Sequence, residues 1–421
     1  MIGLLIFGLA LRIGAVLYFA DFTDPLTWEY GGIARHVAEG RGFIATSWLG
    51  TEEPTAQMAP LYVFLLAGAL KSLGPLSYAA VQLLQALLSG LLSLLLYRLA
   101  ADLFDRRIAL ATLALAAVYP PFIYFPKQIS PAILAALAAV AVAICVVRLA
   151  HRGTIRNAML CGLAAGLAGL TEPFALLPAA GLVLVRLRSF KAAAGGLALL
   201  VAALIVLPWT ARNYLVFDTF VPARSVSGLA LWVGNNPLAT GHEYTQTGDF
   251  LITLIDPDLF RSIQHLNEAQ RDAALGRQAL EWIVQNPTRF LELTGWRVFY
   301  FWWSSPNYEF DPGWTGTEPR YLYTLQMVLH VPILVLAAIG GWQALRKNRA
   351  AALALVLWLV SITLPYAISV ASFRRYRLPA EPALVILAAV GIVGVLEWWY
   401  RREQQAAAAS AAPVSIRVGK Q

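Results

Sequence analysis

Apolar runs of about 20 residues recur from one end of the chain to the other, each long enough to cross a bilayer core as a helix. Helices suit that environment because every backbone N–H finds a carbonyl within its own segment. The pattern predicts ten spans, at residues 1–20, 77–98, 108–125, 131–149, 157–171, 174–190, 193–209, 321–344, 350–370 and 381–400. The stretch 60–73 is apolar but short, and inserting it as a span would invert every later connection. It is expected as a re-entrant or interfacial helix. The run at 2–20 lacks a basic region before it and an evident cleavage site, so it is expected as a retained first span.

Composition supports this reading. Of 421 residues, 59% are hydrophobic and 13% charged, against about 25% charged in an ordinary soluble domain. A mean hydropathy of +0.63 leaves too much apolar surface for one globular interior to hide. The net charge of +8 raises the question of nucleic acid, but the basic residues fall in short clusters between apolar runs and form no continuous basic face. Cys145 and Cys161 lie in or beside apolar runs, which argues against a disulfide framework or a thiolate metal site.

The basic clusters instead orient the chain. Arg98 with Arg106 and Arg107; Arg148, Arg152 and Arg156; Arg186, Arg188 and Lys191; Arg346, Lys347 and Arg349; and Arg401 with Arg402 all fall in one set of turns. Cytoplasmic connections carry such an excess, so both termini are expected on the cytoplasmic side. Two long segments, 21–76 and 210–320, then lie outside and hold 18 of the 24 acidic residues. The expected organisation is an N-terminal transmembrane module (1–209), a large outer loop (210–320), C-terminal helices (321–403) and a cytoplasmic tail (404–421), frayed from Gln404. Within the large loop an amphipathic pattern runs over 263–284 and stops at Asn286-Pro287. The aromatic cluster Trp296, Phe299, Tyr300, Phe301, Trp302 and Trp303 then suits a membrane interface.

The anomaly is arginine on the outer side: Arg212 just after a span, and Arg374, Arg375 and Arg377 just before the last one. An anion at that depth, such as a lipid phosphate, fits a guanidinium fork; ordinary headgroups or acids such as Glu381 are the plainer partners. Segment 24–43 reads as a juxtamembrane helix with Asp24 as N-cap, Pro25 at the first helical position and Gly40 closing the end. Asp24 and Glu29 are both candidates for a general base at the water–membrane boundary. Glu172, at the outer end of a span, is a functional candidate by its depth, or a partner for an outer arginine. Lys127, in a short outer turn, is a further phosphate candidate, and Asn235 and Asn236 suit sugar hydroxyls or a plain turn. His36 is expected as an interfacial side chain. There is no metal-ligand cluster, P-loop, dinucleotide fingerprint or Ser-His-Asp set.

Several stretches resemble the C superfamily of lipid-linked-sugar-dependent glycosyltransferases, in particular bacterial relatives of the protein mannosyltransferases (glycosyltransferase family 39 type) and of the aminoarabinose lipid A transferase. They are Glu29-Tyr30, Ile33-Ala34 and Glu39-Gly40-Arg41-Gly42-Phe43; Pro54-Thr55-Ala56 leading to Ala59-Pro60-Leu61-Tyr62; 162–170 before Glu172-Pro173; Pro208-Trp209-Thr210-Ala211-Arg212-Asn213-Tyr214 with Phe217; Gly234-Asn235-Asn236-Pro237; and Arg375-Tyr376-Arg377-Leu378-Pro379. The resemblance implies an all-α polytopic membrane enzyme that moves a sugar, with inversion, from a polyprenyl-phosphate donor to a lipid, glycan or protein acceptor in the cell envelope. A first-loop acid acts as base and basic residues hold the phosphate. It puts Tyr30, Gln57 and Tyr62 in the substrate pocket beside Glu172, Asn235 and Asn236. It implies no definite cofactor and leaves a divalent cation open.

The chain departs from the family pattern at three places. Relatives place the aspartate three or four residues before the tyrosine matching Tyr30, where this chain has Leu26 and Thr27. Gln57-Met58 stands in place of Glu-Lys, and Glu172 in place of a basic residue. Weight shifts to Arg212 and the 374–377 cluster. Two readings compete with transfer: a lipid or polyprenyl-phosphate transporter, and a non-catalytic protein that binds lipid-linked sugar. Transporters show internal repeats or helices broken at mid-membrane; neither is evident in the sequence, and its polar residues gather at one face.

Overall fold

The computed structural model describes residues 1–185, 191–245, 249–303, 320–370 and 374–411, with backbone alone at 320–327, 374 and 408–411. All ten expected spans fall on helices. They are α1 (Ile2–Phe19), α4 (Ser77–Leu103), α5 (Arg106–Val118) with α6 (Pro120–Tyr124), α7 (Ala132–His151), α8 (Ile155–Thr171), α9 (Leu177–Val185), α10 (Ala192–Phe217), α15 (Arg320–Lys347), α16 (Arg349–Ile368) and α17 (Glu381–Ala411). The first loop adds α2 (Trp28–Ala38), a hairpin of β1 (Ile44–Thr46) and β2 (Glu52–Pro54) with Ala45 opposite Glu53, and α3 (Pro60–Leu73). The large loop adds α11 (Ser227–Gly234), α12 (Pro257–Ile263), α13 (Glu268–Gln285) and α14 (Pro287–Trp302). This is an all-α, multi-pass membrane architecture.

Among the described residues, seven helical segments are long and apolar enough to cross a membrane, or eight if the bent pair α5–α6 counts as one. Pro60–Leu103 counts there as a single segment, so α3 and α4 follow each other through the one 3-10 turn Gly74–Leu76. The expected spans at 157–171 and 174–190 are shorter helices, Ile155–Thr171 and Pro173–Val185. Pro173 separates them, because a proline disfavours helical backbone in the residue before it. Arg186 and Arg188 lie outside the described residues. α17 continues to Ala411, so the described part of the expected frayed tail is helix.

α7 occupies the centre: 72% of its apolar window is buried, against 17% for α1 and α10, which present most of theirs outward. Alanines and valines cover it all round, as expected for a helix packed on every side. Neighbouring helices approach closely at glycines. A Cβ on Gly340 would stand 1.8 Å from the Leu387 carbonyl oxygen, and one on Gly391 2.1 Å from that of Leu336, so α15 and α17 meet backbone to backbone.

The bend of 52° between α5 and α6 has a chemical cause and a chemical remedy. Pro120 and Pro121 carry no N–H, so the carbonyls of Ala116 and Ala117 lose their donors four residues on. Arg12 of α1, fully buried, supplies them: Nη2 donates to Ala116 at 2.7 Å and Nη1 to Ala117 at 3.1 Å. Its remaining donors go to Ser89 Oγ (2.8 Å), Ser93 Oγ (2.9 Å) and the Gly8 carbonyl (2.7 Å).

The first loop differs from its expected capping. α2 begins at Trp28, with Thr27 as N-cap, and Asp24 caps nothing. The loop's turn is made instead by Asp21, whose Oδ1 accepts the N–H groups of Thr23 (2.8 Å) and Asp24 (2.9 Å). Pro25 is buried before the helix rather than at its first position. The far end is as expected: Gly40, at φ +77°, follows the helix while its N–H and that of Arg41 return to Val37 and His36 carbonyls. The amphipathic helix α13 starts at Glu268, later than its pattern, because Asn267 and Gln270 form a capping box there.

Candidate active site

The two loops meet over one end of the helix bundle. Glu268, first residue of α13, accepts the Ala56 N–H at 2.7 Å and the Thr55 hydroxyl at 2.5 Å, and also bonds the Ser225 hydroxyl. Arg271 one turn on pairs with Glu53 of the hairpin. Trp48 packs with Leu229, Ile252 and Leu275 in one apolar cluster. Gly234 lies against the end of α16, where a Cβ would meet the Ser369 carbonyl oxygen at 1.5 Å. Beneath these contacts is a cavity of about 750 Å³.

Glu53, Glu268, Arg271 and Asp272 line it on the side of these contacts, and further polar groups come from other elements. Glu29 comes from the first turn of α2, Gln57 and Met58 from the approach to α3, Glu172 from the α8–α9 junction, Arg224 from the segment after α10, Glu243 from the large loop, and Arg375 and Tyr376 from the turn before α17. The Glu29 carboxylate is exposed and makes no hydrogen bond or ion pair with the described residues. Arg375 is buried, its guanidinium 4.1 Å from the centre of the Trp28 ring and 4.8 Å from that of Tyr376, whose hydroxyl accepts from Nη2 at 2.9 Å. Burial opposes the Arg375 charge, but the electron-rich Tyr376 and the Glu29 carboxylate hold it above its ordinary value. Burial raises the Tyr376 phenol, with Arg375 acting against it. Trp28 adopts φ +54°, uncommon for a non-glycine residue, directly before Glu29.

Arg224 and Glu172 form a buried pair: Nη1 reaches both carboxylate oxygens, at 2.9 and 2.8 Å, and Nε donates to the Gln57 carbonyl at 2.9 Å. The sequence reading gave Glu172 an arginine as one alternative but passed over Arg224 itself. Its signal was a lone arginine in the outer loop, indistinguishable from a solvated one.

Of the other sequence candidates, Tyr30 and Tyr62 lie buried beside this wall with rings edge to face at 5.5 Å, and Tyr62 donates to Gln85 at 3.0 Å. Asp24 is exposed and does not line the cavity. Arg212 clamps the first loop, donating to the carbonyls of Thr55 (2.7 Å) and Phe43 (3.1 Å) and stacking on Trp209. Arg377 pairs with Glu381 at 2.6 Å and donates to the carbonyls of Phe301 and Trp302. Lys127 lies buried over the Tyr124 ring at 4.5 Å. Asn235 bonds the Leu231 and Ile368 carbonyls and Arg297, and Asn236 closes its own turn. None of these five lines the cavity. The side chain of Arg374 lies outside the described residues. His36 sits between the Ile44 carbonyl and Glu52. Among the described residues no three His, Cys, Asp or Glu side chains gather as a metal site.

Residues 57–211 match the family described as dolichyl-phosphate-mannose-protein mannosyltransferase. The fold is similar to ArnT from Cupriavidus metallidurans bound to undecaprenyl phosphate (TM-score 0.55, 17% identity), over 92% of this chain and 60% of that one. It is similar as well to the oligosaccharyltransferase AglB from Archaeoglobus fulgidus in complex with an inhibitory peptide and a dolichol-phosphate (TM-score 0.56, 16% identity), over 100% of this chain and 52% of that one. The chain thus spans between about half and two thirds of the length of these solved structures. A search of curated proteins finds no match. The chain thus shares the fold of these membrane proteins, and its residues 57–211 match the mannosyltransferase family model.

Proposed function

We propose that this protein transfers one sugar from a polyprenyl-phosphate donor to an acceptor hydroxyl at the outer face of a bacterial-type inner membrane, its termini cytoplasmic. The observation that supports this most is Glu29: a carboxylate left without partners by the described residues, on the same cavity wall as the buried Arg375. A base must keep a lone pair free for the incoming proton, whereas a carboxylate fully engaged in ion pairs has none to offer. Glu29 takes the acceptor proton as the acceptor oxygen attacks the anomeric carbon. The bond from that carbon to the phosphate oxygen breaks with inversion, and polyprenyl phosphate leaves against Arg375. This assigns the base to Glu29 rather than Asp24, and the phosphate to Arg375 rather than to Arg212, Arg377 or Lys127, whose donors or burial serve packing. ArnT and AglB were each solved with a lipid phosphate, which supports a donor of that chemistry. The acceptor is a lipid, glycan or protein, and a divalent cation is left open as a cofactor. An unpaired carboxylate on the cavity beside a buried arginine favours transfer over the transporter and non-catalytic readings.

The test is sugar transfer by purified full-length protein supplied with a panel of polyprenyl-phosphate sugars and membrane-extract acceptors. Transfer by the wild type and its loss in Glu29→Gln, with donor binding retained, is the expected result. Transfer that survives in Glu29→Gln and disappears in Asp24→Asn would return the base to Asp24; no transfer with any donor, despite binding, would leave the binding reading.

A further inference from the structure

Arg224 is held more tightly than a structural tie requires, and one side of its guanidinium is left over. Of five N–H donors, the one on Nε goes to the Gln57 carbonyl and those on Nη1 go to both oxygens of Glu172. Nη2 meets only the Met58 sulfur, at 3.7 Å, a weak acceptor. Arg224, Met58 and Glu172 all line the cavity, on the wall that also carries Glu29, Arg375 and Tyr376. Tyr376, which accepts from Arg375 Nη2 at 2.9 Å, lines the same cavity as both guanidinium groups.

We infer that Arg224 is a second phosphate-facing cation of the site, presenting its Nη2 edge to the donor phosphate, and that Glu172 is a positioning residue that fixes the orientation of that edge. The inference rests on the lipid-phosphate reading above and adds a residue to it. A guanidinium anchored on three donors loses little freedom when its remaining edge binds, which is the advantage of a pre-organised fork over a flexible ammonium. Glu172 offsets the charge of Arg224, so Arg375 supplies most of the net attraction and Arg224 the direction.

The experiment compares two probes on full-length protein in uncharged detergent: undecaprenyl phosphate and undecaprenol, which differ only in the phosphate. The readout is the ratio of their affinities. Arg224→Met and Arg224→Lys are expected to lower that ratio by about 10- to 100-fold, the loss of a hydrogen bond to a charged group, with undecaprenol binding unchanged. Glu172→Gln is expected to lower it by a smaller factor. If Arg224→Met does not fold, Arg224→Lys and Glu172→Gln, which preserve charge or shape, carry the test. An unchanged ratio in the folded variants, or a parallel fall for both probes, overturns the inference and reduces the pair to a loop anchor. Arg375→Met separates the two levels. A ratio lost there but kept in the Arg224 variants removes only Arg224, whereas a ratio unaffected by either arginine removes the lipid-phosphate reading as well.

Discussion

Arg12 donates to the carbonyl of Ala116 at 2.7 Å, doing for α5 what Pro120, four residues after Ala116, has no N–H to do. The same arginine serves Ala117, deprived by Pro121. A charge in the first helix is thus tolerated because it completes the backbone of another helix, where no water is at hand to do so.

Arg12→Met is therefore expected to leave two buried carbonyls unsatisfied and to cost about 2–6 kcal/mol, at roughly 1–3 for each orphaned group. Reversible unfolding in detergent measures it. In a Pro120→Ala, Pro121→Ala background the restored N–H groups take over, and the same substitution is expected to cost clearly less. Equal cost in the two backgrounds would mean that Arg12 acts through Ser89 and Ser93 alone.

Arg377 and Glu381 are expected to behave as a buried pair, not as ligand-binding groups. Both are almost fully buried, and Glu381 also accepts from Tyr119. Arg377→Met strands the carboxylate and is expected to cost about 3–5 kcal/mol, while adding Glu381→Gln recovers most of that loss. Thermal unfolding of the single and double variants decides it. A stable Arg377→Met protein that has lost affinity for undecaprenyl phosphate would put this arginine back in the binding site.

The attachment of α13 is expected to depend on pH. Burial raises the Glu268 carboxyl above its ordinary 4.5, against the opposing hydrogen bonds from Ser225, Thr55 and Ala56, and burial likewise raises Asp272 beside it. A raised value means that the docked arm binds protons more readily than the open one. Docking is therefore firmest at or below 4.5 and weakens as pH climbs through the raised values. Arg271, between Glu268 and Asp272 on the same helix, pairs with Glu53 of the hairpin. Amide exchange in α13, corrected for intrinsic rates and referred to α7, is expected to speed up from mildly acidic to neutral pH, and Glu268→Gln to flatten the trend. Firmer protection at the higher pH would contradict it.

The sequence by itself determined the helices. Spans of 20 apolar residues, the Asn267–Gln270 capping box, the Gly40 stop and the proline breaks are local: hydrophobic length and backbone chemistry act within a few residues, so they are written where they operate. It also put acids and arginines together at one face. What it did not determine was which of them share a cavity. Arg212, near the end of α10, and Arg375 and Arg377, in the turn before α17, are the same residue type, yet one clamps a loop, one stacks on Trp28 and one neutralises Glu381. Glu172 finds Arg224 across 52 residues, and Glu268 finds Ala56 across 212. Those partnerships follow from how the two loops fold over the bundle. A charged side chain is indifferent, within its own segment, to whether its counter-ion is protein, lipid or water; only the tertiary structure, by removing the water, decides.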